Sequence, residues 1–228
     1  MTPRTTIGPG LFLVAGPDLT DPRDAMAYLV EDGQDLALID AGAGPSYPRI
    51  VENIQAAGLD PARLKLVVAT HAHVDHVGGL AAFARDHGPV IAAHEQDAWA
   101  LETADPLYTA ARAYGLRLEP VEVALKLQGR VSRLALGESE LVCWHTPGHT
   151  PGSLSVVLDR DGKRYLFGQD IHGPFLPAFR SDLVQWRASM ARLLALKADV
   201  LCEGHYGVFR GADQVARFIQ DFLDQNAE

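Results

Sequence analysis

The chain has 228 residues, a formal net charge of −9 and 47% hydrophobic residues. It is long enough to bury a sizeable core and too acidic overall to carry a nucleic-acid footprint. Two cysteines, Cys143 and Cys202, are too few for a disulfide framework, and neither a signal peptide nor an apolar run of membrane length is read in it. The expectations are one domain over residues 1–228, a cytoplasmic location, a small-molecule substrate, no nucleic-acid or membrane partner, and a homodimer left open.

In chain order, residues 11–15, 25–31 and 35–40 read as antiparallel strands, with Asp32-Gly33 as a hairpin turn. Residues 47–58 carry Ile50, Val51, Ile54 and Ala57 on one helical face, stopped at Gly58. Asp60-Pro61 has the form of a capped first turn. Residues 66–69 are a short apolar run, read as a covered strand, and 77–87 as the helix that follows. A strand over 89–93 and a helix over 94–103 come next. Residues 103–120 read as a helix-containing insertion in which Tyr108 and Tyr114 are candidates to shape a pocket. A second sheet is expected from about Val121, with strands at 131–136, 140–144, 154–158 and 163–167 and a hairpin at Asp161-Gly162. Residues 186–196 and 212–223 read as outer amphipathic helices. Apolar positions of the last helix suit either the sandwich or a partner chain.

The densest chemistry is Thr70-His71-Ala72-His73-Val74-Asp75-His76-Val77-Gly78-Gly79, three imidazoles and a carboxylate within six positions at the end of an apolar strand. Neutral nitrogen with hard oxygen suits zinc, iron or manganese better than calcium or magnesium. His71 and His73, two apart, share a face of extended chain, while Asp75 and His76 follow as it turns into the helix. One ion would struggle to take all four, and two adjacent ions would not. Further donors sit at the ends of other strand-like stretches: His149 in the Pro147-Gly148 turn, Asp170 after residues 165–168, and His205 after 199–204.

Taken together, His71-Ala72-His73-Val74-Asp75-His76, Thr146-Pro147-Gly148-His149-Thr150-Pro151-Gly152, Gly168-Gln169-Asp170, Gly204-His205 and the early Leu38-Ile39-Asp40-Ala41-Gly42 resemble the metallo-β-lactamase-fold hydrolase superfamily over nearly the whole chain. The resemblance implies an α/β (α+β) fold, a four-layer αββα sandwich of two mixed sheets, with a dinuclear centre at one edge. It implies His71, His73 and His149 at a first metal, Asp75, His76 and His205 at a second, and Asp170 bridging both. Asp170 in place of Cys or Ser argues against the antibiotic-degrading members, and His73 in place of Glu against the diiron flavoproteins. No long insertion separates Asp170 from His205, so the nucleic-acid-processing members do not fit. The short stretch after His205 leads us to expect no glyoxalase II helical domain.

The function expected is hydrolysis by a hydroxide bridging two divalent metal ions, zinc in the first instance with iron or manganese also suited to these donors, on a thioester or lactone. Asp75 is the candidate to orient the nucleophile or accept its proton. Asp40 and His145 are expected to support ligand rings, because a ligating imidazole needs a partner for its other nitrogen. His172, two past Asp170, is the candidate contact to substrate or leaving group, with Phe175 and Phe179 as an apolar wall. His87 and His94 are expected at a helix end and on the surface, and the cysteines in packing. The alternative is a persulfide dioxygenase with one non-haem iron on His71, His149 and Asp170.

Overall fold

Strand alternation sets the layering of the fold, which a computed structural model describes over residues 5–227. In β3 (Ala27–Asp32) and β4 (Asp35–Ile39), Tyr28, Val30, Ala37 and Ile39 point into one apolar cluster. Ala27, Leu29, Leu36 and Leu38 point into another on the opposite face. Successive side chains of a strand face opposite ways, so apolar residues at every position require cover on both sides. The same division recurs in β11 (Lys163–Phe167): Tyr165 and Phe167 join the first cluster, and Leu166 a third. The shared cluster lies between two sheets, and the other two lie beneath outer helices.

The first sheet has seven strands in chain order: β1 (Thr6–Gly8), β2 (Leu11–Ala15), β3, β4, β5 (Leu64–Val68), β6 (Val90–His94) and β7 (Leu125–Leu127). It is antiparallel through β4 and parallel from there on. The second has six, in the order β13 (Val208–Arg210), β12 (Val200–Cys202), β11, β10 (Leu154–Arg160), β9 (Ser139–His145) and β8 (Val131–Leu136), with only β11 and β12 parallel. Helices α1 (Tyr47–Ala56), α3 (Leu80–His87) and α4 (Glu95–Thr103) cover the first sheet, and α6 (Leu183–Ala195) and α7 (Ala212–Gln225) the second. The result is the four-layer αββα sandwich. Cys143 and Cys202 pack in the layer between the sheets. Among the described residues, no helix is long and apolar enough to cross a membrane.

Several local expectations hold for their stated reasons. The Asp60 side chain accepts from Ala62 N at 2.9 Å, opening a short 3₁₀ turn with Pro61 first. On α7, Val215 and Ile219 are buried and Phe218 and Phe222 pack beside them, so this face meets the sandwich. Other expectations are corrected. The second sheet starts at Val131; residues 121–124 form no strand, and β7 adds to the first sheet beside β6. The helix expected over 77–87 is two helices, α2 (Val74–Val77) and α3, broken at Gly78-Gly79. A Cβ on Gly78 or Gly79 would strike the backbone of Ala43 or Ala41, so this bare stretch lets the chain after β4 lie against the ligand loop. Strands β1 and β13 were not anticipated.

Candidate metal centre

The carboxyl ends of β4, β5, β9, β11 and β12 open onto one edge of the sandwich, and each delivers a polar side chain there. After β5 the chain stays extended through His73 (φ −72, ψ 140) and then turns into α2. All seven residues expected to ligate metal come together and are nearly or fully buried, His205 the most exposed at a quarter of its side chain.

They form two groups. In the first, Nδ1 of His73 lies 3.0 Å from Nε2 of His71 and 2.9 Å from Nε2 of His149. Asp170 Oδ2 stands 3.3 Å from His149 and 3.7 Å from His71. In the second, Nε2 of His76 lies 3.3 Å from Nε2 of His205, and Asp75 Oδ2 is 3.7 Å and 3.5 Å from those two atoms. Asp170 Oδ1 reaches this group too, 3.0 Å from His76 and 3.4 Å from His205. One carboxylate thus turns an oxygen to each group, the placement of a bridge.

The tautomers show what such a site would hold. His149 donates from Nδ1 to Pro174 O at 2.9 Å, and His76 from Nδ1 to Asp40 Oδ2 at 2.7 Å. A neutral imidazole has one N–H, so Nε2 of His149 presents a lone pair, and Nε2 of His76 does so once the ring gives up the proton that its carboxylate neighbours favour. These lone pairs converge on other ring nitrogens and carboxylate oxygens, which repel unless a cation lies among them. Asp170 Oδ1 is buried without a hydrogen bond, as is His73 Nε2. The donor set fits divalent zinc, iron or manganese. Burial, reinforced by neighbouring imidazoles, lowers the pKa of His71 and His73 and takes His149 to about 4, which keeps all three in the neutral state that binds metal. Burial opposes charge on His76 as well, but Asp170, Asp75 and Asp40 outweigh it and raise its pKa. Burial pushes the Asp75 carboxyl up.

Three buried carboxylates hold this arrangement. Asp40, at φ 60 just past β4, accepts through Oδ2 from His76 and from Thr70 Oγ1 (2.7 Å), and through Oδ1 from Thr70 N (2.8 Å). Gln169 Nε2 also donates to it. Asp97 on α4 accepts from Ala72 N (3.1 Å), Thr150 Oγ1 (2.8 Å), Gly152 N (2.8 Å) and Tyr108 OH (2.6 Å), tying the His71–His73 loop to the His149 loop. A Cβ on Gly152 would lie 2.5 Å from the Asp97 carboxyl, so only glycine permits the approach. Glu203 accepts from His205 N (2.6 Å) and Tyr206 N (2.9 Å), and its Oε1 faces His172 Nδ1 at 3.0 Å. The support from Asp40 was anticipated; Asp97 and Glu203 were missed.

The remaining candidates divide. Tyr114, in the short helix α5 (Ala111–Tyr114), donates to Asp75 Oδ2 at 2.9 Å and so belongs to the site, while Tyr108 acts through Asp97. Phe179 lies over His73 with ring centres 4.1 Å apart, as an apolar wall, and Phe175 packs on Trp186 while standing edge-on to His149, ring centres 6.5 Å apart. The expectation that His145 supports a ligand is corrected: it faces Pro151 O at 2.8 Å and stacks on His94, ring centres 3.7 Å apart. His94 is therefore buried, not on the surface as expected. His87 ends α3, as expected.

The model of the metallo-β-lactamase superfamily matches residues 20–205. The chain belongs to this superfamily. The human acyl-coenzyme A thioesterase MBLAC2 is 30% identical over 96% of this chain and 86% of its own length. A hydroxyacylglutathione hydrolase of Anaeromyxobacter dehalogenans is 34% identical over 62% of this chain and 44% of its own length. A solved metallo-β-lactamase variant from Cronobacter sakazakii superposes with a TM-score of 0.82 at 24% identity, covering 96% of this chain and 93% of its own, which is a likeness of fold.

Proposed function

We propose that this chain is a hydrolase with two divalent metal ions, zinc first among them, that cleaves thioesters, with lactones as the related carbonyl substrate. The observation that carries the reading is Asp170, whose two oxygens face two separate groups of ring nitrogens. The likeness to acyl-coenzyme A thioesterases across almost the whole chain supports the thioester choice. Persulfide oxygenation at one iron needs only His71, His149 and Asp170, and gives no role to the convergence of Asp75, His76 and His205.

Two ions bound here would lower the pKa of a shared water and polarise the substrate carbonyl. Asp75, whose Oδ2 accepts from the Tyr114 hydroxyl, is the carboxylate that would orient the attacking water and accept its proton. His172 faces Glu203 through Nδ1, which leaves Nε2 as the nitrogen that would contact the substrate's leaving group. Phe179, against His73, keeps bulk water from the first group.

The test is a panel of acyl thioesters and lactones offered to metal-loaded and chelator-treated protein. Cleavage that disappears with the metal and returns with zinc supports the reading, and a His172→Ala variant should then lose turnover. Inert thioesters and lactones with fully loaded protein would overturn the hydrolase assignment, and unchanged turnover in His172→Ala would remove His172 from the mechanism.

A further inference from the structure

An apolar groove of about 420 Å³ opens beside the metal centre, between α5 with its preceding loop and the turn at residues 176–179. Pro106, Leu107, Ala110 and Ala113 form one wall, and Leu176 and Phe179 the other. Leu107 and Leu176 are 58% and 44% exposed, so each wall presents a large apolar side chain to the opening.

Both walls are pinned to the ligand loops. Val74 N donates to Thr109 O at 2.8 Å, and Tyr114 donates to Asp75, which fixes the first wall to the 71–76 segment. Ser181 Oγ donates to His149 O at 2.7 Å and accepts from Leu176 N at 3.0 Å, which fixes the second to the His149 loop. The Arg180 guanidinium lies over the rings of Trp99 and Tyr108, 5.0 and 5.5 Å from their centres, and clamps the turn onto α4. At the inner end stands Phe179, touching His73. Phe179 therefore belongs both to the groove wall and to the surroundings of His73, and the groove is held in position beside the first group of metal donors.

We propose that this groove is the acyl subsite, and that the substrate is a thioester of a linear aliphatic acid whose chain lies between Leu107 and Leu176 with its carbonyl at the metal centre. The proposal rests on the hydrolase reading above and adds the acyl class to it. The lining favours a hydrocarbon chain over a peptide-like or phosphorylated thiol portion, because it offers almost no hydrogen-bonding side chain besides Arg112 at its edge.

The test is binding, not turnover. Linear carboxylates from butanoate to decanoate, the products of such thioesters, are titrated calorimetrically into metal-loaded wild type, Ala113→Trp and Leu107→Ser. Ala113 and Leu107 are exposed, so neither change burdens the core, and circular dichroism checks the fold. Each added methylene should tighten Kd about fourfold in the wild type until the groove is full. Ala113→Trp, which fills the groove, and Leu107→Ser, which removes one wall, should both flatten the series. A flat wild-type series, or a slope that both variants leave unchanged, overturns the proposal. So does a flat series in a wild-type dimer that Ala113→Trp dissociates, which would assign the groove to a second copy. Chain-length dependence without thioester cleavage would keep the subsite and reject the hydrolase; cleavage with a flat series would do the reverse.

Discussion

Asp97→Ala should damage stability and metal binding together, although Asp97 belongs to neither donor group. Its carboxylate is the acceptor for Ala72 N, Gly152 N, Thr150 Oγ1 and Tyr108 OH. Thr150 Oγ1 keeps a second partner in Ser153 Oγ at 2.8 Å, so three donors are most at risk of being left buried and unsatisfied. Each costs about 1–3 kcal/mol, with relaxation and water entry recovering part, so a loss of about 3–5 kcal/mol is expected. That is a large share of a typical stability of about 5–15 kcal/mol. Asp97→Asn keeps one acceptor oxygen and should lose roughly 1–3 kcal/mol. Urea unfolding of the metal-free proteins reads this as a fall in midpoint at constant m-value. Ala72 lies between His71 and His73, and Thr150 follows His149, so zinc affinity by chelator competition should drop about 10- to 100-fold in Asp97→Ala. A loss below about 1 kcal/mol with zinc affinity intact would refute the view that this carboxylate joins the two loops.

Asp40→Ala removes the acceptor for His76 Nδ1 and frees that ring to change tautomer. Affinity for the ion held by His76 should fall about 10- to 100-fold, with a smaller loss at the other because Asp40 also holds Thr70, whose Oγ1 lies 3.2 Å from His71 Nδ1; stoichiometric zinc titration checks this, and unchanged affinity at both would contradict the supporting role. Tyr114→Phe should leave zinc content unchanged and lower kcat for thioesters, because only the hydroxyl on Asp75 is lost; a change confined to KM would argue against that role. His94 supplies a pH test. Burial, with His145 stacked beside it, takes its pKa from 6.5 to about 4. The unfolded chain therefore binds the extra proton first, so this stabilisation is complete above pH 6.5 and is lost as pH falls through the window down to 4. Roughly 2–3 kcal/mol of acid sensitivity in the metal-free protein should disappear in His94→Phe, measured by unfolding at pH 7 and pH 4.5; an identical pH slope in both proteins would refute it.

The donors were legible because they cluster in sequence or end apolar strands, as in His71 to His76, His149, Asp170 and His205. Their supports were less so. Asp97 sits in the first turn of α4, where an acid is common for the helix dipole alone, and its role depends on Thr150 and Gly152 more than fifty residues away. Glu203 was hidden beside His205, since nothing local indicates that its carboxylate meets His172. His94 ends a strand just as the donors do, and only tertiary packing places His145 against its ring. The three-residue strands β1, β7 and β13 carry too little alternation to be read, and β7 joins the first sheet because its neighbour β6 offers an open parallel edge.

The central claim is that two donor groups sharing Asp170 hold two ions. Elemental analysis of protein purified without added metal tests it most directly. The account predicts about two divalent ions per chain, chiefly zinc, falling to about one when Asp170 is replaced by Ala. About one iron per chain, with oxygen consumed in the presence of a persulfide, would contradict it.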